Sequence, residues 1–435
     1  MGNIKYRIED NISWNRTHIK KAKTIYPENI TELKSILKQI KSENEKYLIK
    51  TGDCAYDNKS IISDDRTWVI SLKKLNKVIK IDKKKKLLLV ESGTLIPKVV
   101  EYLKSRNFSL HSVPGGSNVS IGGAISANVI GKDSSKEVAC FGDAVESIDI
   151  LNETGKIKTL KRNTKELNSY IGAFGFSGII LRAKLKIKKT MSPNLNYTTK
   201  ILGNIDDVKK ELENKTDYKY IQLDPFFRKE NFGIVFNANS TISKNNLYKS
   251  INLKTNIFEK IFFKFSSFFI NFISWRIFYK TFFIFNKNTS KQLNIYNFHY
   301  PSKYKHLIPL LCKNGLSDYE FLIKKDFKKT MNNIINFLKT NKMYAIYIVV
   351  KKIYRSQNKY AYQFSDNGYA VAMAFDRNNA SKETFDLFEK KIFNLNLKLN
   401  LSKSDYHITK SNRDKNNSFM SLFRKKTIDR DGQYI

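Results

Sequence analysis

The sequence predicts an α+β chain of two domains, on three observations. Residues up to about 190 alternate helix-period and strand-period apolar patterns. From about 191 to 390 the texture changes to longer strands separated by polar loops, and 393–435 forms a C-terminal segment. The chain has 435 residues, more than a single core usually fills.

The first portion is the most legible. Asn29 is placed to cap a helix, with Glu32 three residues on completing a capping box. Ile30, Leu33, Ile36, Leu37 and Ile40 then recur at helical spacing. "YLIK" (47–50), "WVISL" (68–72) and "LLLVESG" (87–93) read as strands, and Pro97 sits at a favoured first-turn position of the helix through "VVEYLKS". "ESIDIL" (146–151), the turn "NETG" and "KIKTL" predict a hairpin. A helix, a Gly-punctuated loop and a final strand follow in "NTKELNSYIGAFGFSGIILRAKLKI". In the second portion "YAIYIVVKKIY" (344–354) and "GYAVAMAF" (368–375) are strands.

Composition narrows the function classes. With 41% hydrophobic and 13% aromatic residues the chain has the material for a packed core. Its formal net charge of +38 favours anionic partners, namely nucleic acid, an anionic membrane face or a phosphorylated substrate. The plainer reading is a general Lys bias that spreads charge over every surface. Cys54, Cys140 and Cys312 lie far apart, which argues against a disulfide framework and suits a reducing cytosol. The five histidines show no metal-ligand spacing, so no metal is expected. "MGNIKYRIED" has no apolar stretch of the signal-peptide kind and misses the myristoylation pattern at Tyr6. A cytoplasmic protein is expected.

Residues 257–285, inside a basic aromatic insert at 250–290, bear on that location. The apolar run is broken by Lys264, Arg276 and Lys280, which is too short an interval for a spanning helix. Read as one helix, Lys260, Lys264, Ser267, Asn271 and Ser274 share a face, with Phe, Ile and Trp around the rest. Such a helix lies in a membrane interface, giving peripheral contact with the inner face of the cell membrane. The alternative is a helix buried against the second domain.

The segment "SVPGGSNVSIGGAISANVIGKDSS" (112–135) keeps its side chains small. Glycine lets backbone N–H groups approach a phosphate-bearing ligand closely. The run has neither a P-loop ending nor the Gly-x-Gly-x-x-Gly of a dinucleotide turn, and a tightly packed turn without a ligand would look much the same.

Read together with "KTGDCAYDN", "CFGDAVESIDIL" and "IGAFGFSGIILRAKLKI", the segment resembles the PCMH-type FAD-binding domain of vanillyl-alcohol-oxidase-type FAD oxidoreductases. Within that family the chain is most similar to oxidases of a polyprenyl-phosphate-linked ribose, the flavin subunits of a 2′-epimerase. "SWNRTH" (13–18) matches the family's opening, with Asn15 for Gly; "NFHYPSKY" (297–304), "YEFLIKKD" (319–326) and "LNLSKSD" (399–405) fall in the expected order. The resemblance implies a two-subdomain FAD-binding domain over 1–190 and a substrate (cap) domain over 191–392. It also implies that 393–435 returns to the flavin site.

The resemblance also implies roles for particular positions. Thr51, Gly52, Asp53, Cys54, Ala55 and Tyr56 match the first pyrophosphate loop, in which the Asp53 carboxylate would have to turn away from the diphosphate. Gly115, Gly116, Ser120, Ile121, Gly122 and Gly123 match the second cradle. Ala127, Asn128 and Ile130 match the stretch along the isoalloxazine ring, and Gly178, Ile179 and Ile180 the turn at the adenine end. Ile130 stands where many relatives carry a residue bonded to the flavin, so FAD is expected to be non-covalent there. Lys132 to Ser135 replace a more polar family motif at the mouth of the site.

Lys403 matches the family's active-site lysine, Lys351 a second inward-facing lysine, and Tyr56 a third catalytic position. Glu320 stands where the family has Gln, and Asn400 where a Tyr touches the flavin. Phe298-His299-Tyr300-Pro301 matches an aromatic substrate-side segment. The expected chemistry is oxidation of a sugar hydroxyl by hydride transfer to flavin N5, in cell-envelope polysaccharide synthesis. An NAD(P)-dependent reductase partner would complete the epimerisation. Two alternatives stand beside it: an aldonolactone or sugar-alcohol oxidase, and a flavin-free basic protein that binds membrane or nucleic acid. No specific nucleic acid is expected.

Overall fold

The computed structural model describes residues 4–52, 67–152, 154–175, 177–242 and 249–403. The N-terminal part holds two sheets. In the first, β1 (Arg7–Ile12) and β2 (Ile19–Ile25) form an antiparallel hairpin that sequence patterning does not announce. Helix α1 (Ile30–Ser42) then carries the chain across, so that β3 (Tyr47–Lys50) and β4 (Trp68–Ser71) lie parallel to one another and β4 parallel to β2. The strand order is β1-β2-β4-β3. Asn29 caps α1 by accepting from the Glu32 N–H at 2.9 Å, and Leu33, Ile36, Leu37 and Ile40 are buried as the periodicity predicts. The Glu32 carboxylate reaches back to the Glu28 N–H, one residue before the cap.

The second sheet is built from β5 (Val78–Asp82), β6 (Leu87–Glu91), β7 (Phe108–Leu110), β8 (Val145–Leu151), β9 (Ile157–Lys161) and β10 (Ile179–Lys189). Its order is β5-β6-β10-β8-β9, with β7 on the far end of β10. Helix α2 (Ile96–Lys104), opened by Pro97, and the short α3 (Ile121–Ser126) pack apolar faces on this sheet, and α4 (Lys165–Tyr170) closes it. The predicted hairpin is β8–β9.

The rest is an eight-stranded antiparallel sheet, order β14-β11-β13-β12-β16-β17-β15-β18. Its strands are β11 (Asn194–Leu202), β12 (Tyr218–Leu223), β13 (Gly233–Ser240), β14 (Ser290–Asn294), β15 (Leu316–Ile323), β16 (Tyr347–Ile353), β17 (Gly368–Asp376) and β18 (Lys398–Leu399). Helices α5 (Ile205–Glu213), α9 (Phe327–Thr340) and α10 (Lys382–Asn394) cover one face through a large apolar core.

The insert makes α6 (Ile257–Ser266) and α7 (Phe272–Asn286), followed by α8 (Ile295–His299). One continuous helix over 257–285 is therefore not what forms. Ser267 ends α6, and Asn271 caps α7 by accepting from the Ile273 and Ser274 N–H groups. These two polar residues terminate helices and do not extend a polar stripe.

Strand alternation decides what the opposite face carries, part of which α7 covers. Tyr319, Phe321 and Ile323 of β15, and Ile348 and Val350 of β16, point into the helix-side core. Glu320 and Lys351 are therefore on the opposite face, where Leu322 and Ile353 pack with Ile130 of the N-terminal part and with Phe174, Tyr362 and Leu401.

Candidate functional site

The site lies where this sheet face meets the small-residue segment. Thr51 and Gly52, at the end of β3, pack directly on Ser120 at the start of α3. The Thr51 and Ser120 hydroxyls are 2.9 Å apart, and Ser120 accepts from the Gly123 N–H at 3.2 Å. A Cβ on Gly122 would lie 2.6 Å from Thr51 Cγ2 and 3.0 Å from Ser92 Cβ, and one on Gly52 2.9 Å from Ser120 Cβ. These glycines let two loops touch. Gly115 differs, because a Cβ there would meet only the Lys305 ammonium, at 2.9 Å, and more distantly Lys132. That close approach of backbone to a cation is the part of the segment suited to an anionic ligand.

Beyond it, four basic side chains converge. Lys351 Nζ donates to the Ile130 carbonyl at 2.9 Å and lies 3.7 Å from Glu320 Oε1. Lys403 Nζ is 3.1 Å from Glu320 Oε2. The Asn400 amide donates to the same carboxylate, and the Asn400 N–H to the Glu320 carbonyl at 2.7 Å. Pairing of β18 with β15 (Phe321 with Leu399, Leu322 with Lys398) brings Asn400 and Lys403 here. Lys132 donates to the Phe298 and His299 carbonyls, each at 3.1 Å, and its ammonium sits 4.6 Å from the Tyr220 ring centre.

The electrostatics follow from this crowding. Burial raises the Glu320 carboxyl, but Lys403 and Lys351 with the Asn400 amide outweigh it and hold the group down to about 2. Burial and the nearby Lys403 push Lys351 down to about 8 against the pull of Glu320. Lys305 is exposed by surface area, yet its ammonium end is enclosed near Gly115. Desolvation and then Lys403 and Lys351 lower it. One carboxylate thus faces two lysines, with Lys305 near both of them, and the surplus charge is positive.

Other predicted positions make structural contacts of their own. Asn128, at φ 45°, accepts from the Gly142 N–H at 3.0 Å and donates to the Tyr362 carbonyl at 3.4 Å, tying the domains together. Ile121 is in the core, and Ala127 ends α3 with its N–H on the Gly123 carbonyl. Gly116 lies against Val119. The Ile179 and Ile180 side chains are buried in two different cores, and Gly178, at φ 142°, abuts the Tyr170 ring. Phe298, His299 and Tyr300 are fully buried, so this run meets the site through the Lys132 contacts to its carbonyls. Asp53, Cys54, Ala55 and Tyr56 lie outside the described residues. Among the described residues no metal-holding group of His, Cys, Asp or Glu occurs, and no helix is long and apolar enough to cross a membrane.

Sequence reading passed over Lys305. "NFHYPSKY" stops one residue short of it, and its neighbours gave no strand or helix period to aim it. Only the 3-10 turn Lys305–Leu311 brings it to Gly115.

Residues 22–161 match the family described as FAD binding domain. Decaprenylphosphoryl-beta-D-ribose oxidase of Mycolicibacterium smegmatis is 25% identical over 142 residues, 32% of this chain and 31% of that protein. L-gulonolactone oxidase of Scyliorhinus torazame is 26% identical over 125 residues, 28% of this chain and 27% of that one. The matched stretch thus spans less than a third of the length of these curated relatives. Among solved structures, Physcomitrella patens BBE-like 1 superposes with a TM-score of 0.68 at 13% identity, covering 96% of this chain and 91% of that one. Alkyldihydroxyacetonephosphate synthase gives 0.63 at 13%, covering 94% and 77%. The fold is therefore that of a PCMH-type FAD-binding domain followed by a cap domain, as the sequence predicts.

Proposed function

We propose that the chain is an FAD-dependent oxidoreductase that oxidises the CH–OH group of a sugar carrying a phosphate, of the polyprenyl-phosphate-linked kind. The observation that carries this reading is the convergence of Lys351 and Lys403 on the Glu320 carboxylate, with the Lys305 ammonium close by against Gly115. The FAD-binding domain match and the small-residue segment support the cofactor. Thr51, Gly52, Gly115, Gly116 and Ser120 to Gly123 would hold it, and bound FAD would supply the hydride acceptor. Isoleucine has no nucleophile, so no covalent link forms at Ile130.

The residues divide the work by charge. Lys351, fixed on the Ile130 carbonyl and poised near neutrality, is suited to exchange a proton with the substrate hydroxyl. Lys403 is oriented by Glu320 and supplies positive charge at the reacting end. Lys305, with its ammonium against Gly115, is placed to pair with a phosphate. Lys132 is committed to two carbonyls and shapes the wall.

A soluble lactone or sugar alcohol is the second reading, supported by the similarity to L-gulonolactone oxidase. It leaves the surplus positive charge without an obvious anion. Purification with FAD present tests the cofactor assignment: flavin absorbance should co-elute with the protein in gel filtration. A protein that stays colourless after reconstitution would be the flavin-free basic binding protein instead. Co-purification with an NAD(P)-dependent reductase would support the proposed place in an epimerisation.

A further inference from the structure

The helix pair α6–α7 does not behave like the rest of the surface. More than half of the exposed large apolar side chains of the described residues fall within 257–285. Ile257, Phe258, Ile261, Phe262 and Phe265 stand out from α6, which buries no residue; Phe268 and Phe269 fill the connection; Ile273, Ile277 and Phe285 continue along α7. Phe258 is 77% and Phe285 79% exposed. Scattered apolar residues are ordinary on a surface, but a contiguous patch of this kind marks an interaction site.

The patch is firmly mounted. Trp275, Tyr279 and Phe283, four residues apart, are buried against the sheet, and the Tyr279 hydroxyl donates to the Ile346 carbonyl at 2.8 Å while accepting from the Gln222 amide. Helix α6 rests on the turn after α8: Glu259 pairs with Lys303 and Tyr304, Phe263 stacks on Tyr304 at 5.3 Å, and Thr255 bonds His306. The exposed phenylalanines are thus held outward by other residues of the same helices.

Charge identifies the occupant. Lys260, Lys264, Arg276, Lys280 and Lys287 are exposed among these aromatics, and the one acidic residue of the segment, Glu259, is already paired. A second copy of the chain seated here would bring like charges together. An anionic lipid surface takes both the apolar side chains and the cations. Neither helix can span: the 15 residues of α7 reach about 22 Å, short of a hydrocarbon core of about 30 Å.

We infer that α6 and α7 form an in-plane platform that docks the protein on anionic lipid, with the phenylalanines at the acyl boundary and the lysines among the headgroups. The inference rests on this surface and not on the proposed chemistry, but it deepens that reading. Helix α6 lies on the segment that runs from Tyr304 into the turn carrying Lys305 to Gly115, so docking would set the mouth of the site beside the lipid. A sugar phosphate on a lipid carrier would then reach Lys305 without leaving the surface.

The test is co-sedimentation of the full chain with vesicles of phosphatidylcholine alone or with one quarter phosphatidylglycerol. Binding should require phosphatidylglycerol and fall with added salt. F262S/F265S should weaken it at least tenfold, and K260E/K264E should abolish the phosphatidylglycerol preference, both with unchanged thermal unfolding. F265W, as a reporter, should show a blue-shifted emission on those vesicles. Equal sedimentation of wild type and both variants would overturn the inference. So would a concentration-dependent dimer that F262S/F265S dissociates in the absence of lipid. Flavin content, read in the same samples, keeps a failure of docking distinct from a failure of the cofactor assignment.

Discussion

The Lys351 ammonium donates to the main-chain carbonyl of Ile130 at 2.9 Å, joining the cap sheet to the end of the small-residue segment. The residue without a functional side chain is therefore the one whose backbone fixes the basic group. A hydrophobic side chain at 130 packs among Leu322, Ile353 and Tyr362 and holds that carbonyl in place.

Removing the ammonium should separate chemistry from cofactor binding. K351M keeps the stem and loses the donor, so flavin retention should stay near wild type. The rate of substrate-driven flavin reduction should fall about 10²-fold or more, the usual range for a lost proton-transfer group. Stopped-flow absorbance measures both. An unchanged rate would remove Lys351 from the mechanism.

Lys351 also sets a pH dependence. Its folded value, about 8, lies below the ordinary lysine value of 10.5, so the cation is present below 8 and is lost as pH rises through it. Lys305, the group placed to meet a phosphate, is likewise pushed down to about 8, so affinity for a phosphate-bearing ligand should weaken as pH rises through that value, measured by titration calorimetry. Fold stability moves oppositely. Between about 8 and 10.5 the unfolded chain binds the extra proton, so this group makes the fold more stable as pH rises there.

Glu320 predicts the acid limb. Its carboxyl is held at about 2, below the ordinary 4.5, so its contribution is complete above 4.5 and is lost as pH falls toward 2. E320A leaves two enclosed lysines without their countercharge and should cost about 3 kcal/mol. E320Q keeps an acceptor for Asn400 and should cost less. Urea unfolding at neutral pH and at pH 3 checks both, and the penalty of E320A should shrink at the lower pH.

The glycines should divide by what a side chain meets. G122A drives a methyl against Thr51 and Ser92 and should destabilise by about 1–3 kcal/mol. G115A meets only the flexible end of Lys305, so stability should hold within about 0.5 kcal/mol while phosphate affinity falls. Thermal unfolding with and without inorganic phosphate distinguishes the two.

Much of this was legible in the sequence, for physical reasons. Periodicity locates α1 because Leu33 to Ile40 must all reach one core, and it locates β16 and β17 because their residues alternate faces. The β1–β2 hairpin escapes the same reading because its strands are rich in charged residues and carry no regular apolar alternation. The break between α6 and α7 left a signal that went unread: Asn271 with Ser274 three residues on is a capping box. At the site, Lys351 and Lys403 were reachable through a family resemblance, and the structure brings both to Glu320. Lys305 was not, since an irregular turn aims it and no spacing rule describes such a turn.

The most direct test is anaerobic titration of the FAD-loaded protein with a panel of polyprenyl-phosphate sugars and free lactones, following the visible flavin band. The proposed function predicts bleaching by a phosphate-linked sugar, lost in K351M and, at saturating substrate, faster as pH rises through about 8. Bleaching by free lactones alone would contradict the phosphate assignment, and a flavin band that no CH–OH substrate bleaches would contradict the oxidoreductase itself.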